Sequence, residues 1–178
     1  LESLRRAKAA GVRLVMFTSD NFNKYPDAPR LLQSMIDERI DLPFLIQCDT
    51  QLRRQPELVE LLGRAGCWQV FLGVESLDRQ TLRDANKHQN RPEDYQEIVD
   101  LLHAQRIVVH FSNIVGFPAD TEEGIDRHVE AIARMGCDAA SFFLLTPIPG
   151  TALYDDFLAS GMIWERNLDR FDTVSLTW

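Results

Sequence analysis

Cysteine is scarce in this chain of 178 residues, and the three present, Cys48, Cys67 and Cys137, form no Cys-x-x-Cys pair. That absence removes any local signature for a metal site or a redox disulfide. An odd, widely spaced set suits a reducing compartment, so the cytoplasm is the expected location. Cys67 and Cys137 read as small core filler just after helix ends. No apolar run approaches the ~20 residues of a membrane span, and no signal peptide opens the chain. Basic residues are also in deficit, 19 Lys and Arg against 27 Asp and Glu, for a net charge of −8. No general affinity for nucleic-acid backbones is therefore expected. No Gly-x-Gly-x-x-Gly turn follows any apolar run, which removes the main dinucleotide-binding signature. Linkers, repeats and low-complexity segments are missing as well.

What remains is a well-mixed composition, 45% hydrophobic and 26% charged, long enough for one domain with a sizeable core. The opening helix ends at Gly11. Apolar, β-rich runs then recur at Val12–Phe17, Pro43–Gln47, Cys67–Glu75, Ile107–Val115 and Ala139–Leu145. Between them lie helical stripes: Leu31, Leu32, Met35, Ile36 and Ile40; Leu58, Val59, Leu61 and Leu62 after Pro56; a short helix around Gln80–Ala85; and Ile98, Val99, Leu101 and Leu102 after Pro92. Asp120 and Glu123 are spaced as a capping pair for a helix carrying Ile125, Val129 and Ile132 and ending at Gly136. A last helix spans Ala152–Ser160. Strand centres roughly 25–40 residues apart are the repeat of βα units. The expected fold class is α/β: a curved parallel sheet, part of a TIM-like barrel, with helices on its outer face. Both ends look cut, because the chain opens in mid-helix at Leu1 and stops at Trp178. The expectation is a single partial barrel domain over residues 1–178, truncated at both ends.

The most informative stretch is Cys67-Trp68-Gln69-Val70-Phe71-Leu72-Gly73-Val74-Glu75-Ser76, an apolar run closing on a glycine, a carboxylate and a hydroxyl. A carboxylate there has to be hydrated, paired or hydrogen-bonded. Its ordinary explanations are a cap on the next helix or an ion pair with Arg79 or Arg83. Every other strand, however, ends the same way. The carboxyl ends read Thr18-Ser19-Asp20-Asn21, Cys48-Asp49-Thr50-Gln51, Glu75-Ser76, Asn113 with Gly116, and Thr146-Pro147. In α/β sheets and barrels, ligands bind at those ends, so the ring is a candidate site for a polar ligand. The histidines offer less: His88 and His103 read as exposed, and His110 and His128, lacking partner motifs, read as structural.

Four blocks then carry a family resemblance. Phe17-Thr18-Ser19-Asp20-Asn21-Phe22-Asn23, Gly73-Val74-Glu75-Ser76, Gly116-Phe117-Pro118 followed by Asp120-Thr121-Glu122-Glu123, and Thr146-Pro147-Ile148-Pro149-Gly150-Thr151 resemble successive blocks of the radical SAM superfamily. The nearest branch usually carries an N-terminal cobalamin-binding domain. The resemblance implies a partial (β/α)6 barrel of which the second to sixth strands are present, five of six. It implies S-adenosylmethionine as a bound cofactor, cleaved in the intact parent to a 5′-deoxyadenosyl radical or used in cobalamin-linked methyl transfer. A 4Fe–4S cluster and, in this branch, cobalamin complete the cofactors. The cluster ligands, Cys-x-x-x-Cys-x-x-Cys, would lie upstream, since none of the three cysteines matches one. By position, Ser19 and Asp20 fall where the methionyl amino group is contacted, Glu75 where the ribose hydroxyls are, and Ile114-Val115-Gly116 near the adenine. Asp49, Ser76, Asn113 and Thr146 complete the expected cofactor-binding set. Lys87 is a candidate cation for the substrate carboxylate, in competition with Arg83 and Arg91.

Two other readings stand beside this one. Asp20, Asp49 and Glu75 end three consecutive strands, as oxygen ligands of a divalent cation would. Alternatively, the chain as it stands is an inactive scaffold that binds a nucleoside-like ligand. The expected partners are a small-molecule substrate, not fixed by the sequence, and a second copy of the chain meeting the truncated sheet edge. Tail residues Trp164–Trp178 are the alternative cover for that edge.

Overall fold

Helix ends in this chain are fixed by short-range chemistry, and the sheet then follows from what lies between them. The computed structural model describes residues 1–178. Helix α1 (Glu2–Ala9) leads to a strand β1 reduced to Val15–Met16. The expected Val12–Phe17 strand is shorter because only Val15 and Phe17 donate to the next strand, through Pro43 O and Leu45 O. Helix α2 (Ala28–Asp37) stops before Ile40, yet Ile40 stays buried, since Arg39 and Asp41 at φ +48° and +46° turn it back into the core. Strand β2 (Phe44–Cys48) precedes α3 (Pro56–Ala65). Pro56 at the first position lacks an N–H that would have no partner there. Gly66 at φ +90° ends the helix in the left-handed conformation that costs a glycine nothing.

Strand β3 (Cys67–Glu75) is followed by α4 (Arg79–Asp84), α5 (Tyr95–Ala104) and β4 (Val108–Val115). A 3-10 turn occupies Pro92–Asp94, so α5 starts three residues later than its proline suggests. Helix α6 (Glu122–Arg134), strand β5 (Ala139–Leu144) and α7 (Ala152–Ala159) complete the elements. The cap of α6 is Thr121, whose Oγ1 accepts from Gly124 N at 3.1 Å. Asp120 is not the cap; its Oδ2 instead accepts from Gly116 N and Phe117 N at 2.8 and 3.0 Å. A capping pattern shifted by one residue hid a loop-closing carboxylate.

The five strands are parallel and lie in sequence order β1-β2-β3-β4-β5. This is the curled half-barrel expected from right-handed crossovers between neighbours. Alternate residues separate the two faces. Ile46, Val70, Leu72, Val74, Val109 and Phe111 are fully buried against the helices, with Leu62, Tyr95, Ile98 and Leu102 facing them. Gln47, Gln69, Phe71, Gly73 and His110 lie on the concave face and remain partly open. The C-terminal segment covers the β5 edge, not the β1 edge. Leu144 N donates to Thr173 O at 2.7 Å, and the Trp178 indole N–H donates to Leu145 O at 2.6 Å. Trp178 also meets Phe157 with ring centroids 4.7 Å apart. No helix is long and apolar enough to cross a membrane.

Candidate functional site

At the carboxyl ends of β1–β3 a cavity of about 250 Å³ opens, lined by Asp20, Lys24, Asp49, Glu75, Lys87 and Ser112 among others. Glu75 dominates it. The β3–β4 register slips between Gly73 and Glu75, and Glu75 sits at φ +64°. Ser76 N donates back to Val74 O at 2.8 Å, so Glu75 is the centre of a three-residue turn in its rarer, strained form. Backbone strain in a non-glycine residue persists only when its surroundings over-determine it. Here they do. Asn90 Nδ2 donates to Gly73 O and Val74 O at 2.9 and 3.0 Å, and the buried Tyr95 hydroxyl donates to Val74 O at 3.0 Å. Thr50 Oγ1 in turn donates to Asn90 Oδ1 at 2.9 Å, which fixes the amide. Burial raises the Tyr95 phenol well above its ordinary value, so it stays a neutral donor.

The carboxylate so presented is only 12% exposed and accepts from Lys87 Nζ at 2.8 Å. Neither ordinary explanation for Glu75 holds. The cap of α4 is Asp78, which accepts from Thr81 N at 2.7 Å and is held below its ordinary pKa by that bond. Arg79 pairs with Glu93 and Arg83 with Gln80. Of the three competing cations, Lys87 alone lines the cavity. Glu75 Oε1 lies back over Gly73, where an added Cβ would come within 3.1 Å of it. A glycine is what lets the carboxylate fold against its own strand.

Asp49 is committed to the protein. Its Oδ1 accepts from Asn23 Nδ2 at 2.8 Å and from Gln51 N at 3.0 Å, and its Oδ2 forms an ion pair with Lys24. Asp20 is exposed at the cavity rim, next to an exposed Ser19. Ser76 points the other way: its Oγ accepts from Asp78 N at 3.1 Å, and it lines a separate groove of about 500 Å³ with Asp120 and His128. Asn113, fully buried, faces the helices; its Nδ2 donates to Ser141 O, and its Oδ1 contacts His128 Nε2 at 3.0 Å. Gly116 adopts φ +84° with open space around it, as a loop meeting a ligand requires. Thr146 is buried at the end of β5, its hydroxyl donating to Leu144 O. The cavity therefore gathers Asp20, Asp49 and Glu75, and leaves Ser76, Asn113 and Thr146 to other contacts.

Sequence reading missed Lys24, Asn23, Asn90, Tyr95 and Ser112. Asn23 and Asn90 carried a usable signal, each being a short polar residue directly after or before structured apolar or proline-led segments, where side chains bond backbone. The cation alternative loses its basis. Asp49 and Glu75 are each paired with a lysine, and no three His, Cys, Asp or Glu side chains converge to hold a metal ion.

Known proteins share this arrangement of elements. The family described as the radical SAM superfamily matches residues 1–132. Bacteriochlorophyllide d C-12(1)-methyltransferase of Chlorobaculum tepidum is 32% identical over 120 residues, which is 67% of this chain and 26% of that protein. Hopanoid C-2 methylase of Rhodopseudomonas palustris is 26% identical over 169 residues, covering 92% of this chain and 32% of its own length. Among solved structures, the radical S-adenosylmethionine methyltransferase TsrM of Kitasatospora setae, with cobalamin and a [4Fe-4S] cluster bound, superposes with a TM-score of 0.78 at 20% identity. That match covers 93% of this chain and 34% of TsrM. The chain thus spans about a quarter to a third of the length of these relatives.

Proposed function

Because the chain belongs to the radical SAM superfamily, we propose that its cavity holds S-adenosylmethionine within an enzyme that transfers a methyl group or generates a 5′-deoxyadenosyl radical. The observation that supports this reading is the strained, clamped Glu75 turn at the mouth of the sheet. A carboxylate with two acceptor oxygens matches the two hydroxyls of a ribose. Asp20 and the carbonyls beside it accept from the ligand's ammonium group, while Lys87, which also lines the cavity, offers a cation to a substrate carboxylate. Gly116, its amide tied down by Asp120, lets the adenine approach the backbone.

Bound S-adenosylmethionine would supply the transferable methyl group or, on reductive cleavage, the radical. The chain's own cysteines do not suit an iron–sulfur cluster. Cys67 and Cys137 stand at the amino ends of strands, away from the cavity, and burial pushes the Cys48 thiol up to about 12. The 4Fe–4S ligands and any cobalamin-binding segment would therefore be outside these residues. In this reading the substrate is a small molecule in the cytoplasm, and the 178 residues alone are inactive. Leu14, just before β1, and Met16 within it are exposed and are the proposed surface for self-association.

Calorimetric titration of the intact protein with S-adenosylmethionine tests the reading. Glu75→Gln should weaken binding about tenfold to hundredfold, the ~1.5–3 kcal/mol of one charge-assisted hydrogen bond. Unaltered affinity with a lowered melting temperature would make Glu75 a structural residue only.

A further inference from the structure

Below the cavity floor, on the concave face, three polar side chains from adjacent strands form a chain that the site does not use. Gln69 Nε2 lies 3.0 Å from His110 Nδ1, and His110 Nε2 lies 2.8 Å from Ser141 Oγ. His110 is also fixed sideways, its ring meeting the edge of Phe71 at 4.8 Å. Phe71 and Ser112, which line the cavity, neighbour His110 and Ser141 in register. Alternation places Ile114 and Phe143 on the same face, one step further along.

The direction of this chain follows from its first link. An amide N–H from Gln69 makes His110 Nδ1 the acceptor, so the ring proton sits on Nε2 and is donated to Ser141 Oγ. Desolvation lowers the pKa of His110, which favours the neutral imidazole that this hydrogen-bond pattern uses. Ser141 Oγ has no other protein partner. Its own hydrogen is therefore free, and its oxygen is pinned beside an apolar wall.

We propose that Ser141, oriented by Gln69 and His110, is a specificity-determining donor that recognises a hydrogen-bond acceptor on an otherwise apolar substrate lying against Phe71, Ile114 and Phe143. The substrate class is an aromatic or polycyclic molecule with a carbonyl, carboxylate or ring-nitrogen edge. Gln69 and His110 are positioning residues in this assignment. The inference rests on the proposed function only in placing the substrate on the concave face.

The test uses two probes of equal shape, acetophenone and α-methylstyrene, titrated into the full chain by ligand-observed NMR. Ser141→Ala should weaken acetophenone about threefold to tenfold, the range of one neutral hydrogen bond, and leave α-methylstyrene within twofold. Gln69→Glu presents only acceptor oxygens, so Nδ1–H donates to it, Nε2 accepts from Ser141 and the chain reverses; this variant should mimic Ser141→Ala on acetophenone. Nitrogen-15 spectra of wild type should show His110 protonated on Nε2. Equal effects on both probes, no discrimination by wild type, or a proton on Nδ1 would each overturn the proposal. S-adenosylmethionine affinity of the wild type separates the two claims: its absence would sink the cofactor reading, while the probe difference would still decide this one.

Discussion

The two faces of this sheet are built from alternate residues of the same strands, and they obey different rules. On the convex face, Val70, Leu72, Val74, Val109 and Phe111 are interchangeable in kind: each buries apolar area against a helix, worth roughly 1.5–3 kcal/mol. On the concave face, Gln69, Phe71, Gly73, Glu75 and His110 differ in every chemical respect and stay partly open, with Ser112 buried beside them. A strand that needed only to fold would have no reason for such variety. One face holds the molecule together, and the other carries the strained turn and the oriented side chains.

The comparison can be broken most easily with its two phenylalanines. Phe111→Ala, on the buried face, should cost about 3–5 kcal/mol in denaturant unfolding. Phe71→Ala, on the open face, should cost about 1–2 kcal/mol. Equal costs would mean that the concave face is also core. A sharper version uses Glu75→Gly. Glycine relieves a left-handed conformation worth about 1–2 kcal/mol, so stability should hold or rise although the Lys87 pair is lost. Binding of S-adenosylmethionine should fall at least as far as in Glu75→Gln. A protein destabilised by more than about 1 kcal/mol would show that the turn serves the fold.

Gly73→Ala is a smaller perturbation of the same kind. The new methyl must push against Glu75 Oε1, so affinity should drop severalfold with little change in unfolding. Smallest of all is the acid response of the two half-buried histidines, one on each face. Burial lowers His128 and His110 below the ordinary 6.5. The unfolded chain then takes up protons that the folded one refuses, so their contribution is intact above pH 6.5 and is lost as the pH falls. His128→Gln should flatten that loss more than His110→Gln, because His128 is packed between Asn113 and Phe142 on the core side.

Much of this is legible in the sequence. The βα period fixed five parallel strands in order, because crossovers between short-linked units leave few alternatives. Glu75 announced itself by ending an apolar run. What could not be read was how its carboxylate is held. The lysine that pairs with it is twelve positions away across an irregular connection, and the clamp by Asn90 and Tyr95 depends on where α5 docks. The Asp120 role was misread because a cap and a loop tie use the same residue types one position apart. The full extent of β1 failed for a different reason: strand length is set by the partner's hydrogen bonds, and propensity in Val12–Phe17 says nothing of those.

The segment that crosses the β5 edge also equips the molecule with an optical gauge. Trp68 and Trp164 are about half exposed, at 48% and 59%, whereas Trp178 is lodged against Phe157 with its indole N–H bound to Leu145 O. Emission from the first two is expected to be red-shifted and readily quenched by a soluble collisional agent. Trp178 alone should emit at short wavelength and resist the quencher. In a Trp68→Phe, Trp164→Phe background the colour of the remaining fluorescence would report whether that closing segment is seated, in real time and without a label.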